Sequence, residues 1–367
     1  MTTETIQGED LQKISPVFGQ LSFDNHEQVV FCFDKDTGLK AIIGIHNTVL
    51  GPALGGTRMW NYQSESEALN DVLRLSRGMT YKSAVTGLDL GGGKAVIIGN
   101  AKKHKTPELM LKFGEFVHSL GGNYITAEDV GMETDDMDLI RTVTPHVVGL
   151  SEAKGGKGNP SPITAHGVYM GMKAAAKFAF GTDNLKGRKI YVQGVGHVGE
   201  NLVKKIKAED AEVFISDINQ ERMEMIRDTY DVNIYEGTTF YDEPMDIYSP
   251  CALGATLNDK TIGMLKAKVI AGAANNQLAV EHKHGEMLRQ KGIVYAPDFL
   301  INAGGIINVY GEIHNYGLDE SMRRTENIYN TTLEILKQSE ENNITTYQAA
   351  FQVAQNRIDA KRKEQGR

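Results

Sequence analysis

The sequence predicts an α/β fold in two domains, the second a doubly wound parallel sheet. Three observations carry this. Past residue 162, short strand-like runs (KIYVQ, EVFIS, VNIY, DIYSP, KVIAGA and GIVYAP) alternate with helical stretches, the pattern of a parallel sheet covered by helices on both faces. Between the first two runs, QGVGHVGENLVKKI sets Gly194, Gly196 and Gly199 in a G-x-G-x-x-G turn that opens a helix. SEAKGGKGNPSP, residues 151–162, breaks a chain of 367 residues, long enough for two domains of roughly 150 residues each. The first domain is assigned to 1–148, rejoined by carboxyl-terminal helices from about 340 to 367, and the second to 149–339.

In the first domain, VVFCF (29–33) and LKAIIGIH (39–46) read as strands. SESEALNDVLRLSRG opens a helix, with Ser64 and Glu67 as a capping box and Leu69, Val72, Leu73 and Ser76 at helical spacing. GLDLGGGK follows as a glycine-rich approach to the strand AVIIG (95–99). Three adjacent glycines cost backbone entropy, so something must come close to the main chain beside Lys94. Thr106 caps a helix whose first residue is Pro107, whose apolar face carries Met110, Phe113, Phe116, Val117 and Leu120, and which Gly121-Gly122 stop. YITAEDVG reads as a strand ending in an acidic loop, and ITTYQAAFQVAQNRI near the end as a helix able to pack back on the first domain.

Composition excludes several classes. Lys and Arg number 39 against 47 Asp and Glu, a net charge of -8, so no general basic footprint for nucleic acid or membrane exists. The basic run Lys361–Lys363 reads as a solvated helix end. Cys32 and Cys251 lack metal or redox spacing and suggest a reducing compartment, with no metal site implied. The polar, acidic start MTTETIQGED does not read as a leader, and no apolar run spans a bilayer. A cytoplasmic protein is the expectation.

The glycine turn gains meaning from its setting. Gly194 permits the tight turn, Gly196 lets a pyrophosphate approach the amides at the helix start, and Gly199 lets helix and strand pack closely. Asp217 stands eighteen residues after Gly199, where its carboxylate accepts from ribose hydroxyls and repels the extra phosphate of NADP, so the predicted cofactor is NAD on a Rossmann-type domain. Asp217 also reads as a plain turn or cap residue, and His197 either touches the pyrophosphate or is incidental.

A nicotinamide needs a substrate with a C–H bond to give up. In GMTYKSAVTGLDLGGGK, Lys82 and Lys94 stand twelve residues apart, and AEDVG adds Asp129. Two lysines and a carboxylate can share one small site: one ammonium can bind a substrate carboxylate, a lysine of depressed pKa can act as a base or activate water, and the aspartate can shuttle an amine proton. The opposing reading is three solvated surface charges.

The segments LGPALGGTRMW, GMTYK, LGGGKAVIIG, YITAEDVG, GNPSPITAHGVYMGMKAAA, QGVGHVG, SPCALGATLND, AGAANNQ and INAGGIINV together resemble the glutamate/leucine/phenylalanine/valine dehydrogenase family, in order, from about residue 23 to the carboxyl-terminal helices. Among its members, those acting on leucine are the most similar. The resemblance implies an N-terminal substrate and oligomerisation domain, a homo-oligomer that is commonly an octamer, and NAD(P)-dependent reversible oxidative deamination of an L-amino acid to a 2-oxo acid and ammonia. It implies that Lys82 binds the substrate carboxylate, that Lys94 promotes attack of water on the imine, and that Asp129 exchanges protons with the substrate nitrogen. Gly55, Gly56, Met79 and Asn276 join Lys82 around the substrate. Thr164, the loop Gly194, Val195, Gly196, His197, Val198 and Gly199, then Asp217, Ile218, Ala252, Asn276 and Asn302, surround the cofactor. The triple glycine is then expected to let main chain close around Lys94 and the substrate, with residues near 155 as a hinge.

Glutamate-specific relatives carry a lysine where this chain has Leu54 and a serine where it has Val309, so a distal carboxylate would be buried unpaired. Leu54, Ala127, Ile306 and Val309 predict an apolar pocket for leucine, valine and isoleucine. Ile306 stands where leucine-specific relatives commonly have valine, which moves preference toward valine by about 1–3 kcal/mol per methylene. Lys154 and Lys157 replace residues usually small or apolar and read either as solvated lysines or as modifiers of cofactor affinity. The alternatives are a valine- or phenylalanine-preferring enzyme, and a NAD-binding regulator without chemistry.

Overall fold

The structure, a computed structural model, describes residues 17–20, 22–237 and 239–366; the acidic amino-terminal stretch lies outside them. The chain divides into two compact units, one running to Gly158 and resuming at Arg357, the other Asn159–Asn356. The division thus falls ten residues later than the 148/149 boundary, and the return to the first unit comes near 357 rather than 340. The reason is visible in the last helix, Thr346–Glu364. The Arg357 guanidinium donates to the carbonyls of Ala84 and Leu88, in and just past the last turn of a first-unit helix, and pairs with Asp89.

In the first unit β1 (Gln28–Asp34), β2 (Leu39–Asn47), β3 (Ala53–Trp60), β4 (Gly91–Ile98) and β5 (Tyr124–Glu128) form one sheet in the order β1-β2-β4-β3-β5. β1, β2 and β4 run antiparallel, while β3 is parallel to both β4 and β5. The helix Glu65–Val85, capped by the Ser64 hydroxyl, covers one face through Leu69, Val72 and Leu73 against Ile42 and Val96. The helix Pro107–Ser119 buries Leu109, Met110, Phe113 and Val117 on the other face, against Ile43, Ile45, Ala95 and Ile97.

Two elements differ from the sequence reading. ALGGTRMW is a central strand, β3, which the sequence reading does not contain; its two glycines and the proline before it disfavour a strand locally. β4 starts at Gly91 rather than at residue 95, so the three glycines are strand rather than approach, and none has a positive φ. Their role is close packing of protein on protein. A Cβ on Gly92 would fall 2.1 Å from the Thr80 amide nitrogen in the covering helix, and one on Gly93 2.7 Å from the Tyr124 ring. The close approach expected at these glycines is therefore present, made by Thr80 and Tyr124 of the protein itself.

The covering helix is also tied down by two buried histidines. His26 Nε2 donates to the Leu73 carbonyl at 3.0 Å, His46 Nδ1 lies 2.8 Å from the Thr80 hydroxyl, and the rings meet edge-on at 4.8 Å. Burial, then the proximity of His26, pushes His46 down to about 4. An unfolded histidine titrates near 6.5, so between these values the unfolded chain binds more protons. Stability is therefore expected to be full above pH 6.5 and to decline, by about 3 kcal/mol from His46, as pH falls toward 4. His46→Gln should flatten that decline in urea titrations followed across the same window; an unchanged slope would assign acid sensitivity elsewhere.

The second unit holds β6 (Lys189–Gln193), β7 (Glu212–Ser216), β8 (Asn233–Ile234), β9 (Ile247–Pro250), β10 (Val269–Ile270) and β11 (Val294–Tyr295), all parallel, in the order β11-β10-β9-β6-β7-β8. This is the predicted doubly wound sheet. Its strand order reverses between β6 and β9, which opens a crevice at the carboxyl ends of those two strands. No helix among the described residues is long and apolar enough to cross a membrane.

Candidate active site and nucleotide site

In the first unit the site grows from strand register. Lys94 shares the β4 parity of Val96, so it projects on the face covered by Glu65–Val85. That helix carries Lys82, half-buried in its last turn. β5 pairs Glu128 with Thr57 of β3, which sets Asp129, the next residue, beside Arg58. The Lys94 ammonium bonds the Asp129 carboxylate, and Arg58 Nε donates to the same carboxylate at 3.3 Å. Arg58 Nη1 reaches Asp71 at 3.0 Å, and Asp71 also accepts from the Tyr62 hydroxyl and from Arg74.

Lys94 is 7% exposed. Burial pulls its pKa below the usual ammonium value, against the opposing pull of Asp129. Burial pushes the Asp129 carboxyl the other way, but Lys94 and Arg58 outweigh it and hold the group below the usual carboxylate range. A lysine of lowered proton affinity beside an ionised carboxylate is equipped for proton transfer.

Of the other predicted substrate residues, Gly55 and Gly56 sit in β3 against β4 and β5, where a Cβ would strike the Gly93 and Glu128 carbonyls. Met79 and Ala127 are half-buried, whereas Leu54 is 1% exposed and packed inside its own unit. Ile306 and Val309 lie on the helix Gly304–Ile313 of the second unit, Ile306 buried and Val309 half-buried. Lys154, in the turn before the second unit, donates to the Asp138 carbonyl.

In the second unit the turn after β6 holds Gly194 at φ +94, its missing Cβ replaced by the close approach of Ala252 beyond β9. A Cβ on Gly199 would fall 2.1 Å from the Gly194 carbonyl, while Gly196 has nothing within 4 Å. Gly196 is therefore small toward open space, the cradle expected for a pyrophosphate. The helix His197–Lys207 begins behind it without a side-chain cap, leaving its first amides free for an anion. His197 is exposed and Val198 half-buried, but Val195 is fully buried, so its contribution to the site is its backbone.

Asp217, past β7, accepts from the Val195 amide at 2.8 Å and from the Asn219 amide at 3.0 Å. Asp217 thus fills the turn role, and each of its oxygens still retains a lone pair. Ile218 beside it is fully exposed. Arg222, the neighbouring cation, donates to the Val195 carbonyl and pairs with Glu200 at 2.7 Å. At the same sheet end, exposed Asn276 takes a left-handed φ of 51, the buried Asn302 amide donates to Asn275 at 2.8 Å, and Thr164 abuts Gly304.

Sequence reasoning missed Arg58 and Asp71, although Arg58 stands inside the quoted LGGTRMW. The usable signal was a lone cation two residues past a glycine pair. Among the described residues no group of three or more metal-ligating side chains is placed to hold an ion.

Known proteins supply the remaining findings. The family described as Glu/Leu/Phe/Val dehydrogenase, dimerisation domain, matches residues 26–146, and the Glutamate/Leucine/Phenylalanine/Valine dehydrogenase family matches residues 213–366. Leucine dehydrogenase of Bacillus cereus is 53% identical, over 93% of this chain and 93% of its own length. Phenylalanine dehydrogenase of Bacillus thermotolerans is 47% identical, over 92% of this chain and 90% of its own. The crystal structure of L-tryptophan dehydrogenase from Nostoc punctiforme superposes with a TM-score of 0.86 at 44% identity, covering 92% of this chain and 97% of that one.

Proposed function

This chain belongs to the glutamate/leucine/phenylalanine/valine dehydrogenase family of amino-acid dehydrogenases, and on that premise we propose that it deaminates branched-chain L-amino acids with NAD, leucine first and valine and isoleucine beside it. The observation that carries the reading is the buried Lys94–Asp129 pair, in which burial lowers the proton affinity of the lysine beside a carboxylate that can exchange protons with it. The absence of a cation at position 54, where Leu54 stands, argues against a substrate with a distal carboxylate and for an apolar side chain.

Bound at the Gly194–Gly199 turn and Asp217, NAD supplies the acceptor for the hydride that leaves Cα. Lys82 holds the substrate carboxylate. Asp129 takes a proton from the substrate nitrogen as the C–N bond becomes an imine. Neutral Lys94 then draws a proton from the water that adds to the imine carbon. Asp129 returns its proton to the nitrogen and, ionised again, takes the hydroxyl proton of the carbinolamine as ammonia departs, which leaves the 2-oxo acid. Thr164, Asn276 and Asn302 orient the nicotinamide end, and Met79 and Ala127 border the amino acid.

The partner of this chain is further copies of itself, as an octamer. β1 is a sheet edge with Phe31 58% and Phe33 64% exposed, the kind of edge that another copy covers. The setting is the cytoplasm, where both thiols stay reduced.

The test is NADH formation at alkaline pH with leucine, isoleucine, valine, phenylalanine, tryptophan and glutamate, repeated with NADP. Turnover led by the branched aliphatics with NAD is expected. Preference for tryptophan or phenylalanine would replace the substrate assignment, and turnover confined to glutamate would overturn the Leu54 argument. Asp217→Ala should raise the NADP-to-NAD ratio of kcat/KM about tenfold, matching loss of charge-assisted hydrogen bonds of about 1.5 kcal/mol.

A further inference from the structure

We infer that Arg58 is a positioning residue for the reaction, holding the Asp129 carboxylate in place and ionised, and that Asp71 in turn anchors Arg58. The inference rests on the proposed roles of Lys94 and Asp129 and extends them outward by two layers.

The geometry is a line of alternating charge: Lys94, Asp129, Arg58, Asp71, then Arg74 and Tyr62. Its members come from several different elements. Lys94 is on β4, Arg58 on β3, Asp129 follows β5, and Asp71 and Arg74 are on the covering helix. A carboxylate held by one flexible lysine could swing, whereas the planar guanidinium fixes it from a second direction. Arg58 cannot lose its proton, so it keeps this role while Lys94 and Asp129 pass protons during turnover. Without Arg58, Asp71 would also repel Asp129, so the two carboxylates need the cation between them.

Arg58, Asp71 and Arg74 line a recess of about 470 Å³ with Trp60, Tyr62 and Val130. Asp71 also keeps its bonds to Arg74, whose side chain is 52% exposed, and to the Tyr62 hydroxyl, so neutralising Arg58 does not leave Asp71 unpartnered.

The groups facing Asp129 are Lys94 from β4, Arg58 from β3, Tyr124 from β5 and the Val130 amide, with Asp71 behind Arg58. Removing the Arg58 charge raises the proton affinity of Asp129, and of Lys94 as well, since Arg58 disfavours the ammonium. Both changes move the acid limb of kcat/KM toward higher pH.

The experiment compares wild type, Arg58→Gln, Arg58→Lys and Asp71→Asn in the full-length protein. Expected for Arg58→Gln are a fall in kcat of about tenfold or more, an acid limb displaced upward by about one pH unit, and unchanged NAD affinity by calorimetry. Arg58→Lys should restore the limb more than the rate, and Asp71→Asn should shift the limb the same way by less. A lowered melting temperature with the limb unmoved would make Arg58 structural only and overturn the inference. Carbon-13 NMR titration of the Asp129 carboxyl in wild type and Arg58→Gln reads the same proton affinity without turnover. An upward displacement in the variant supports the relay, and coincident titrations overturn it. Wild-type protein inactive on every amino acid would instead sink the proposed roles of Lys94 and Asp129.

Discussion

Lys94→Ala is expected to lower kcat by about 10³ or more while leaving the dissociation constant for NAD nearly unchanged. The side chain is 7% exposed and bonded to Asp129, and its pKa is held down chiefly by burial. A structural ion pair would keep the ammonium; a base needs to lose it. The nucleotide turn and Asp217 belong to the other unit, so their affinity should not register the change. Lys94→Arg separates charge from proton transfer, because a guanidinium can pair with Asp129 but cannot give up its proton at working pH. It should be as inactive as the alanine variant. Single-turnover kinetics and calorimetric titration with NAD provide the two readings. Loss of NAD binding in step with turnover would remove Lys94 from the chemistry, and an active arginine variant would make its role electrostatic.

The legible parts of this protein are those written in local spacing. The strand, glycine turn, helix and following aspartate of the second unit lie within about thirty residues, so the sequence order is nearly the spatial order. The caps at Ser64 and Thr106 are read the same way, and both side chains accept the expected amide. β3 was not legible, because glycines that weaken a strand in isolation are required where three strands and a helix crowd together. Arg58 escaped for a related reason. Its partner Asp129 lies seventy-one residues away, and only the register of β3 with β5 brings them together. Burial of Lys94 is likewise a property of the finished sheet. The motif supplied the residue, while packing supplies the pKa.

Alanine at three glycines is expected to give three different results, and the largest is at Gly55. A Cβ there would sit 1.7 Å from the Gly93 carbonyl oxygen and 2.5 Å from its carbon. Both are backbone atoms of the neighbouring strand, so no rotamer change relieves the clash. Relief requires β3 and β4 to separate, which sacrifices ladder hydrogen bonds and the bond from the Tyr124 hydroxyl to the Gly55 carbonyl, and moves Lys94 directly after Gly93. Gly55→Ala should cost more than about 3 kcal/mol and abolish turnover in whatever folds. Gly78, exposed in the middle of the covering helix, has nothing within 4 Å of its Cβ position. Gly78→Ala should therefore stabilise by about 0.5–1 kcal/mol through helix propensity alone. Gly196 has equally open space, but that space is the proposed place of the pyrophosphate, so Gly196→Ala should keep stability and weaken NAD. Urea denaturation with NAD titration separates the three. Tolerance at Gly55 would mean that β3 and β4 lie farther apart than described, and undiminished NAD affinity at Gly196 would move the pyrophosphate off the turn.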